Sequence, residues 1–592
     1  MCKTFSSLPQ VAIATRKTTA KWESGGGPQA LQSIMKPRVS QGIAENLELR
    51  GILQVLRKRL IQEMLPLLML TVLGFLVLGY HPGFEDDGVY LTAIKADLNP
   101  ALYPHDSDFF RLQMQASVFD KGMADFVRWT AIPLAWSELL WQFAALFLIL
   151  WACRRIAAQI FERASAQWAA VAMVAAVLSL PVAGTALGIA DQHLHPRNLA
   201  TALILWAVAW ILEGRRGEGR RGKDQRWRAV PALLMALVLH PIMATLGISF
   251  SVFLSLALLK KVPVRARVAE GTAAAAIPLG WVFAPANPSW RLALASKSYY
   301  SLYRWTWYEW VGALAPLSLF WLLWRVTAER DRDALEERSR SPLRNLFEGN
   351  EPTPALSGSE FSGSEFSGRE RLARFSLAVF GYGVFQLVVA VALLAPQSLV
   401  RLEPFQPMRF LHLVYIFMAL VGGGLLGEFL LKQHFWRWAV FLLVFNGGMF
   451  FAQWELIDEG AHLELPGITT SNPWLQAFGW IRGNTPENAY FALDPNYLAA
   501  PGEGFHGFRA LAERSQLADW IKDTSVVTEV PSLAPRWRSQ QLAQTGWNHF
   551  ELGDFERLKA EFGVDWVLVL YPQTAALDCR WHNGELAVCR IP

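Results

Sequence analysis

Apolar residues in this chain gather into repeated stretches of about 17–25 residues, the length a helix needs to cross the hydrocarbon core of a bilayer. That repetition constrains the fold more than any motif does. About eleven stretches are legible, near 64–80, 136–153, 168–189, 197–213, 229–244, 245–259, 268–285, 309–325, 374–395, 409–431 and 437–455. The pair covering 229–259 reads either as one kinked span or as a re-entrant hairpin. A soluble chain of 592 residues would instead divide into several domains with polar surfaces, and 53% hydrophobic residues leave little polar surface for that. The net charge of +5 is no sign of nucleic acid, because it follows the loops.

The loops set the orientation by the positive-inside rule. Arg50, Arg57, Lys58 and Arg59 precede the first span, and Arg154, Arg155 and Arg163 follow the second. Cations recur between Arg215 and Arg228, at Lys260, Lys261, Arg265 and Arg267, between Arg325 and Arg374, and at Lys432 and Arg437. Every second loop is therefore basic. The N-terminus is expected in the cytoplasm, and an odd number of spans places the C-terminal segment outside the inner membrane of a bacterium.

The expected organisation is a polytopic α-helical membrane protein with a C-terminal extracytoplasmic α/β domain. Residues 1–60 read as a disordered, basic cytoplasmic tail without a cleavable signal pattern. Residues 61–455 form the multi-span domain, with a long first external loop at 81–135. A charged cytoplasmic loop at 326–372 contains Ser-Gly-Ser-Glu-Phe twice and reads as a flexible linker. Gly422, Gly423, Gly424 and Gly427 are expected to let their helix approach a neighbour closely.

Residues 456–592 have short apolar runs broken by charges and turns. Trp474 to Arg482 and Phe555 to Phe562 read as helices, and Ala489 to Leu493 and Val564 to Tyr571 as strands. Cys579 and Cys589 flank Asn583-Gly584, a strong hairpin turn signal. They either face each other as a disulfide in an oxidising compartment or remain thiols.

The chemistry centres on His81-Pro-Gly-Phe-Glu85-Asp86-Asp87-Gly-Val-Tyr90, just past the first span. Carboxylates are expensive to hold near lipid, so an acidic cluster at the mouth of a membrane domain invites a functional reading. The structural reading is helix capping, because Asp86 or Asp87 stands where a helix begins. Capping uses one carboxylate and leaves the others, and Asp106 and Asp108 further along the loop, unexplained. A capping Asp is also a poised base, or a ligand for a divalent cation held against a diphosphate.

Apolar first helix, acidic first loop with a nearby Tyr, many further spans and an external C-terminal domain together resemble the GT-C superfamily. These are membrane glycosyltransferases that use polyprenyl-phosphate-linked sugars, such as protein O-mannosyltransferases and lipid A aminoarabinose transferases. Glu85-Asp86-Asp87-Gly-Val-Tyr90 is similar to their first-loop acidic motif, although the triplet departs from the commoner Asp-Glu pair. His195-Pro-Arg197, His240-Pro241 and Gln406-Pro-Met-Arg409-Phe-Leu-His412 resemble an uncharacterised bacterial family of this layout. The resemblance implies that Glu85, Asp86 or Asp87 is the catalytic base. It also implies that Tyr90, Asp106, Asp108, His195, Arg197, Arg291, Lys297, Arg304, Arg409 and His412 serve the substrates.

The partners implied are the bilayer, a polyprenyl-phosphate sugar donor and a lipid, glycan or protein acceptor. A divalent cation, Mg or Mn, enters only if the donor is a diphosphate. Structural readings stand beside these roles. His195 and Arg197 also fit an ordinary short loop, and a lone His240 before Pro241 fits a packed kink. The aromatic run from Trp290 to Trp310 serves as an interfacial belt or as a platform for sugar rings. No His-Glu-x-x-His or Cys-x-x-Cys zinc pattern, phosphate loop or nucleophile elbow is present. A transporter and a non-catalytic envelope scaffold remain the alternative functions.

Overall fold

The computed structural model describes residues 60–216, 223–259, 282–283, 285–347, 368–456, 461–572 and 577–592. Residues 67–592 form one compact unit. Of the other unit, residues 1–66, only Leu60–Pro66 are described, a helical run that enters the first span.

Among the described residues, six helices are long and apolar enough to cross a membrane: Ile61–Leu78, Leu134–Ile160, Trp307–Glu329, Gly368–Leu394, Pro407–Leu431 and Phe435–Glu455. They coincide with six of the expected spans. In chain order the helices are α1 (Leu65–Leu78), α2 (Asp87–Leu98), α3 (Asp108–Met114), α4 (Phe119–Thr130), α5 (Leu134–Ile160) and α6 (Ala164–Ala176). α7 (Pro196–Glu213), α8 (Ala229–Leu239), α9 (Pro241–Ala257) and α10 (Pro288–Ala295) follow. α11 (Trp307–Phe347), α12 (Gly368–Leu394), α13 (Leu411–Leu426) and α14 (Phe435–Leu456) complete the membrane domain.

The expected span at 168–189 is shorter than its hydropathy suggests. α6 ends at Ala176, and the chain turns back in a hairpin of β1 (Pro181–Val182) and β2 (Leu187–Gly188). Gly184 makes this turn with φ +61°, and a Cβ there would lie 2.2 Å from the Trp305 ring. The pair at 229–259 breaks at His240, whose extended backbone separates α8 from α9. Pro241 cannot donate to an α8 hydrogen bond, and the His240 ring caps α9 by accepting from Met243 N. The span expected at 268–285 lies almost wholly outside the described residues. So does the tandem Ser-Gly-Ser-Glu-Phe, but α11 runs on to Phe347, so the first half of the expected linker is helical. Its charges are spaced for i,i+4 pairing, as with Arg325 and Glu329 at 3.0 Å.

Of the four glycines expected to bring their helix close to a neighbour, three do so. A Cβ on Gly423 would lie 2.5 Å from Met173 Cβ, and one on Gly427 2.6 Å from Ser165 O, so α13 rests directly on α6. Gly424 abuts the Phe161 ring. Gly422 faces open space.

The C-terminal segment supplies α15 (Pro473–Asn484), β5 (Tyr490–Ala492), α16 (Phe508–Ala512), β6 (Ser515–Gln516) and α17 (Lys522–Glu529). α18 (Ala534–Ala543), α19 (Leu552–Phe562), β7 (Trp566–Leu570), β8 (Asp578–His582) and β9 (Leu586–Arg590) complete it. Away from it, Arg215–Arg216 (β3) and Lys223–Asp224 (β4) pair in a second short hairpin between α7 and α8. The domain sheet runs β6-β5-β7-β9-β8, parallel through its first three strands and antiparallel thereafter. β7 alternates with period two. Leu568 packs with Phe478 and Phe491 on one face, while Val567 and Val569 meet Phe555 and Leu558 on the other. Both faces are covered, which is why this strand reads as one continuous apolar run. Cys579 and Cys589 are cross-strand partners joined by a disulfide.

The first external loop is not a separate lobe. Val89, Ile94, Phe109 and Phe110 from the loop share one core with Trp290 of α10 and with Val526, Val527 and Trp537 of the C-terminal domain. Burying each such side chain contributes about 2–3 kcal/mol. This shared core fixes the acidic motif against α17.

Candidate active site

α2 begins at the acidic motif, and its three carboxylates have three different environments. Asp87 is buried and accepts Gly83 N at 2.6 Å, closing the turn before the helix. Burial raises its pKa to about 7. It lines neither of the two cavities that flank the motif.

Asp86 stands at the N-cap position, yet its side chain makes no capping hydrogen bond. Its carboxylate instead meets Lys522 Nζ at 3.1 Å and lies 3.8 Å from His195 Nε2. It lines a cavity of about 360 Å³, shared with Tyr90, His195, His240, Arg409 and Glu529. Withdrawal from bulk water works against the charge. The Lys522 ammonium, then His195 and Arg197, outweigh it and hold Asp86 well below the usual carboxylate range. Burial lowers the pKa of His195, so at neutral pH the ring offers Asp86 an N–H dipole. Its tautomer is set by the chain, because Nδ1 accepts Arg197 N at 2.9 Å and leaves the proton on Nε2.

Glu85 occupies the left-handed region with φ 48°, pinned by its N–H donating to Phe505 O at 2.9 Å. Such strain in a non-glycine residue gathers at functional sites. Its side chain enters a second, larger cavity of about 960 Å³, beside Asp191, His193, Tyr308 and His506. Enclosure raises its pKa, with Asp86 and Asp191 adding to the effect and Lys522 and Arg197 opposing it. Adjacent carboxylates thus face two different cavities, and Tyr299 lines both.

Several expected substrate ligands are engaged elsewhere. Arg197 is clamped to Asp191 through Nε at 3.1 Å and a second, shorter contact, so it reaches Asp86 only through its field. Asp106 is buried and binds Tyr490 Oη, Gln540 Nε2 at 2.8 Å and Arg536. Asp108 lies 3.6 Å from the same Arg536. These two carboxylates dock the loop on the C-terminal domain. His412 is fully buried, with Nε2 2.9 Å from Ile189 O. Arg291 and Arg304 are exposed and line neither cavity.

Lys297 donates to Ile521 O at 2.6 Å. Burial, then Lys522, lowers its pKa to about 8. The aromatic run divides by position. Tyr303 and Trp307 are each 76% exposed, as an interfacial belt requires, whereas Tyr299 and Tyr300 line the smaller cavity.

Glu529, at the end of α17, was not legible as a site residue, whereas Lys522, at its start, was legible only as a charge that either faces the membrane cavity or is solvated. Glu529 faces the same cavity as Asp86. Burial and the Asp86 charge raise its pKa to about 7 against the pull of Arg409. Nothing in the sequence near 522–529 marks it, since its role comes from the shared core that carries α17 to the first loop.

The acidic motif offers poor ground for Mg or Mn, because an ammonium already stands against Asp86. Among the described residues, His81, Glu464 and His506 form the one cluster able to hold a metal ion.

These features define a polytopic membrane protein whose C-terminal α/β domain and first loop enclose a cation-lined, carboxylate-bearing cavity. No protein-family profile matches the chain, and no curated protein does. Among solved structures it is similar to the apo crystal structure of the Archaeoglobus fulgidus oligosaccharyltransferase, at 10% identity and a TM-score of 0.39, covering 86% of this chain and 70% of that one. The same enzyme with Zn and sulfate matches at 13% and 0.41, over 85% and 68%. The A. fulgidus oligosaccharyltransferase AglB with an inhibitory peptide and a dolichol-phosphate matches at 13% and 0.34, over 86% and 69%. Likeness this distant does not assign a family.

Proposed function

We propose that this protein is a GT-C-type membrane glycosyltransferase. It would move a sugar from a polyprenyl-phosphate donor to a hydroxyl of a lipid, glycan or protein on the outer face of a bacterial inner membrane. The observation that carries the reading is Asp86. Its carboxylate stands where helix capping would use it, and instead pairs with Lys522 and faces a cavity furnished with His195 and Arg409.

In this reading the donor headgroup occupies the smaller cavity, where Arg409 meets the phosphate and Tyr299 and Tyr300 flank the sugar. The acceptor enters through the larger cavity past Glu85. Asp86 and Glu529 have pKa values pushed apart, the pattern of a divided acid–base pair. Asp86 stays anionic and orients the acceptor hydroxyl. Glu529, near 7, takes its proton. The acceptor oxygen bonds to the anomeric carbon, and the C–O bond to phosphate breaks with its electron pair leaving on polyprenyl phosphate. A cationic rim stabilises that charge as it develops.

The test uses full-length protein in nanodiscs with radiolabelled polyprenyl-phosphate hexoses and pentoses. The expected result is release of label from at least one lipid by the wild type and loss of release in Asp86→Asn. Native mass spectrometry should show weaker binding of polyprenyl phosphate to Arg409→Ala. Full turnover by Asp86→Asn would overturn the assignment.

A further inference from the structure

We infer that His81, Glu464 and His506 form a zinc site that clasps the first external loop to the segment leaving the last span and to the C-terminal domain. The site is independent of the transfer reaction. Its three ligand atoms lie within 4.8 Å of one another. Glu464 Oε1 is 3.4 Å from His81 Nδ1, and the Glu464 carboxylate oxygens are 3.0 and 3.1 Å from His506 Nε2. Ligands about 2.0–2.1 Å from a tetrahedral zinc ion are separated by about 3.4 Å, so little movement is needed to admit the ion.

The tautomers favour a cation at the centre. His506 Nδ1 lies 3.0 Å from Glu503 O, which places the proton of a neutral ring on Nδ1 and turns the Nε2 lone pair toward the carboxylate. Two acceptors then face each other, an arrangement that a metal ion resolves. Donation of the distal ring N–H to a backbone carbonyl is also how ligating histidines are oriented. His81 supplies an independent observation. It is fully buried, Nε2 has no hydrogen-bond partner, and Nδ1 has only the long 3.4 Å approach to Glu464. An imidazole in that state is costly to keep without a ligand.

Backbone hydrogen bonds hold the three residues in place. Tyr80 N donates to His462 O at 3.1 Å, Glu464 N to Tyr80 O at 2.9 Å, and Phe84 and His506 form an antiparallel bridge. Gly79, at φ +86°, leaves the room the rings need, since a Cβ there would lie 3.1 Å from His81 Nε2. Two imidazoles and one carboxylate suit zinc better than magnesium or manganese, which prefer oxygen ligands. His506 lines the larger cavity, which gives the ion a path of entry and leaves a coordination position for water.

The experiment takes full-length protein in nanodiscs, strips it with EDTA, adds zinc chloride and measures zinc after gel filtration. About one zinc per chain is expected for the wild type, with thermal unfolding moved upward by the metal. Cobalt chloride should give the visible bands of a four- or five-coordinate ion. Glu464→Gln, which keeps the shape of the side chain, and His81→Ala with His506→Ala should lose both the metal and the thermal shift. A wild type that elutes as folded protein and retains no zinc would overturn the proposal, leaving a proton between Glu464 and His506. Equal zinc retention by a variant with the wild-type elution profile would overturn it too.

Discussion

The Asp86 carboxylate and the Lys522 ammonium, 436 residues apart in sequence, meet at 3.1 Å. The pair joins the first external loop to the start of α17 and sets the charge state of the proposed active site.

Lys522→Met should leave Asp86 anionic only through His195 and Arg197, and its pKa should climb. The expected outcome is a transfer rate reduced about 10²-fold, with an acidic limb moved toward neutral pH. Asp86→Asn should cost about 10²–10⁴-fold with no pH dependence of the residue. Circular dichroism and thermal unfolding separate these effects from misfolding.

If Glu529 takes the acceptor proton, kcat/KM should rise as pH passes through about 7. Glu529→Gln should remove that limb and most of the rate. The fold favours the protonated Glu529. Its contribution to stability is therefore present below 4.5 and declines as pH climbs to about 7. The Gln variant should accordingly unfold at pH 8 no more easily than the wild type.

Asp106→Ala should act on stability alone. It strands Tyr490 and Gln540 in a buried setting and takes a partner from the half-exposed Arg536, an expected loss of about 3 kcal/mol. Limited proteolysis should then cut the first loop faster. A variant that folds normally but fails only in donor binding would contradict the docking role.

The disulfide closes a loop with a sequence separation of 10, and replacing both cysteines with Ser should cost about 2–3 kcal/mol. The effect should be confined to the C-terminal domain, read as lower urea resistance of its tryptophan fluorescence.

Gly423→Leu should force α13 off α6, since even a Cβ meets Met173 at 2.5 Å. Overpacking of this kind costs about 1–3 kcal/mol. Gly422→Leu, which meets open space, serves as the control.

Six of the membrane-crossing helices were legible because their hydropathy is a local property. α6 was overextended because Leu178 and Val182 are apolar for tertiary reasons, packing in the turn that Pro181 and Gly184 impose. The strand β7 and the cysteine hairpin were legible for the same local reason. At the proposed site, the acidic triplet was legible, but sequence spacing could not separate Asp86 from Asp87. Their difference lies in Gly83 on one side and Lys522 on the other. Asp106 and Arg197 were expected to touch substrate because charge near a membrane is costly. Their partners, Arg536 and Asp191, relieve that cost within the protein. Glu464 and His506 escaped every motif, and His81 stood only as the first residue of the acidic one, because their juxtaposition comes from three separate segments.

The shared core of Phe109, Phe110, Val526 and Trp537 has a consequence for biosynthesis. Half of it is synthesised more than 400 residues before the other half. Until α17 and α18 emerge, the first loop presents bare aromatic surface. A chain cut short before α17 would leave that surface uncovered for good, so a late segment decides whether a much earlier one survives.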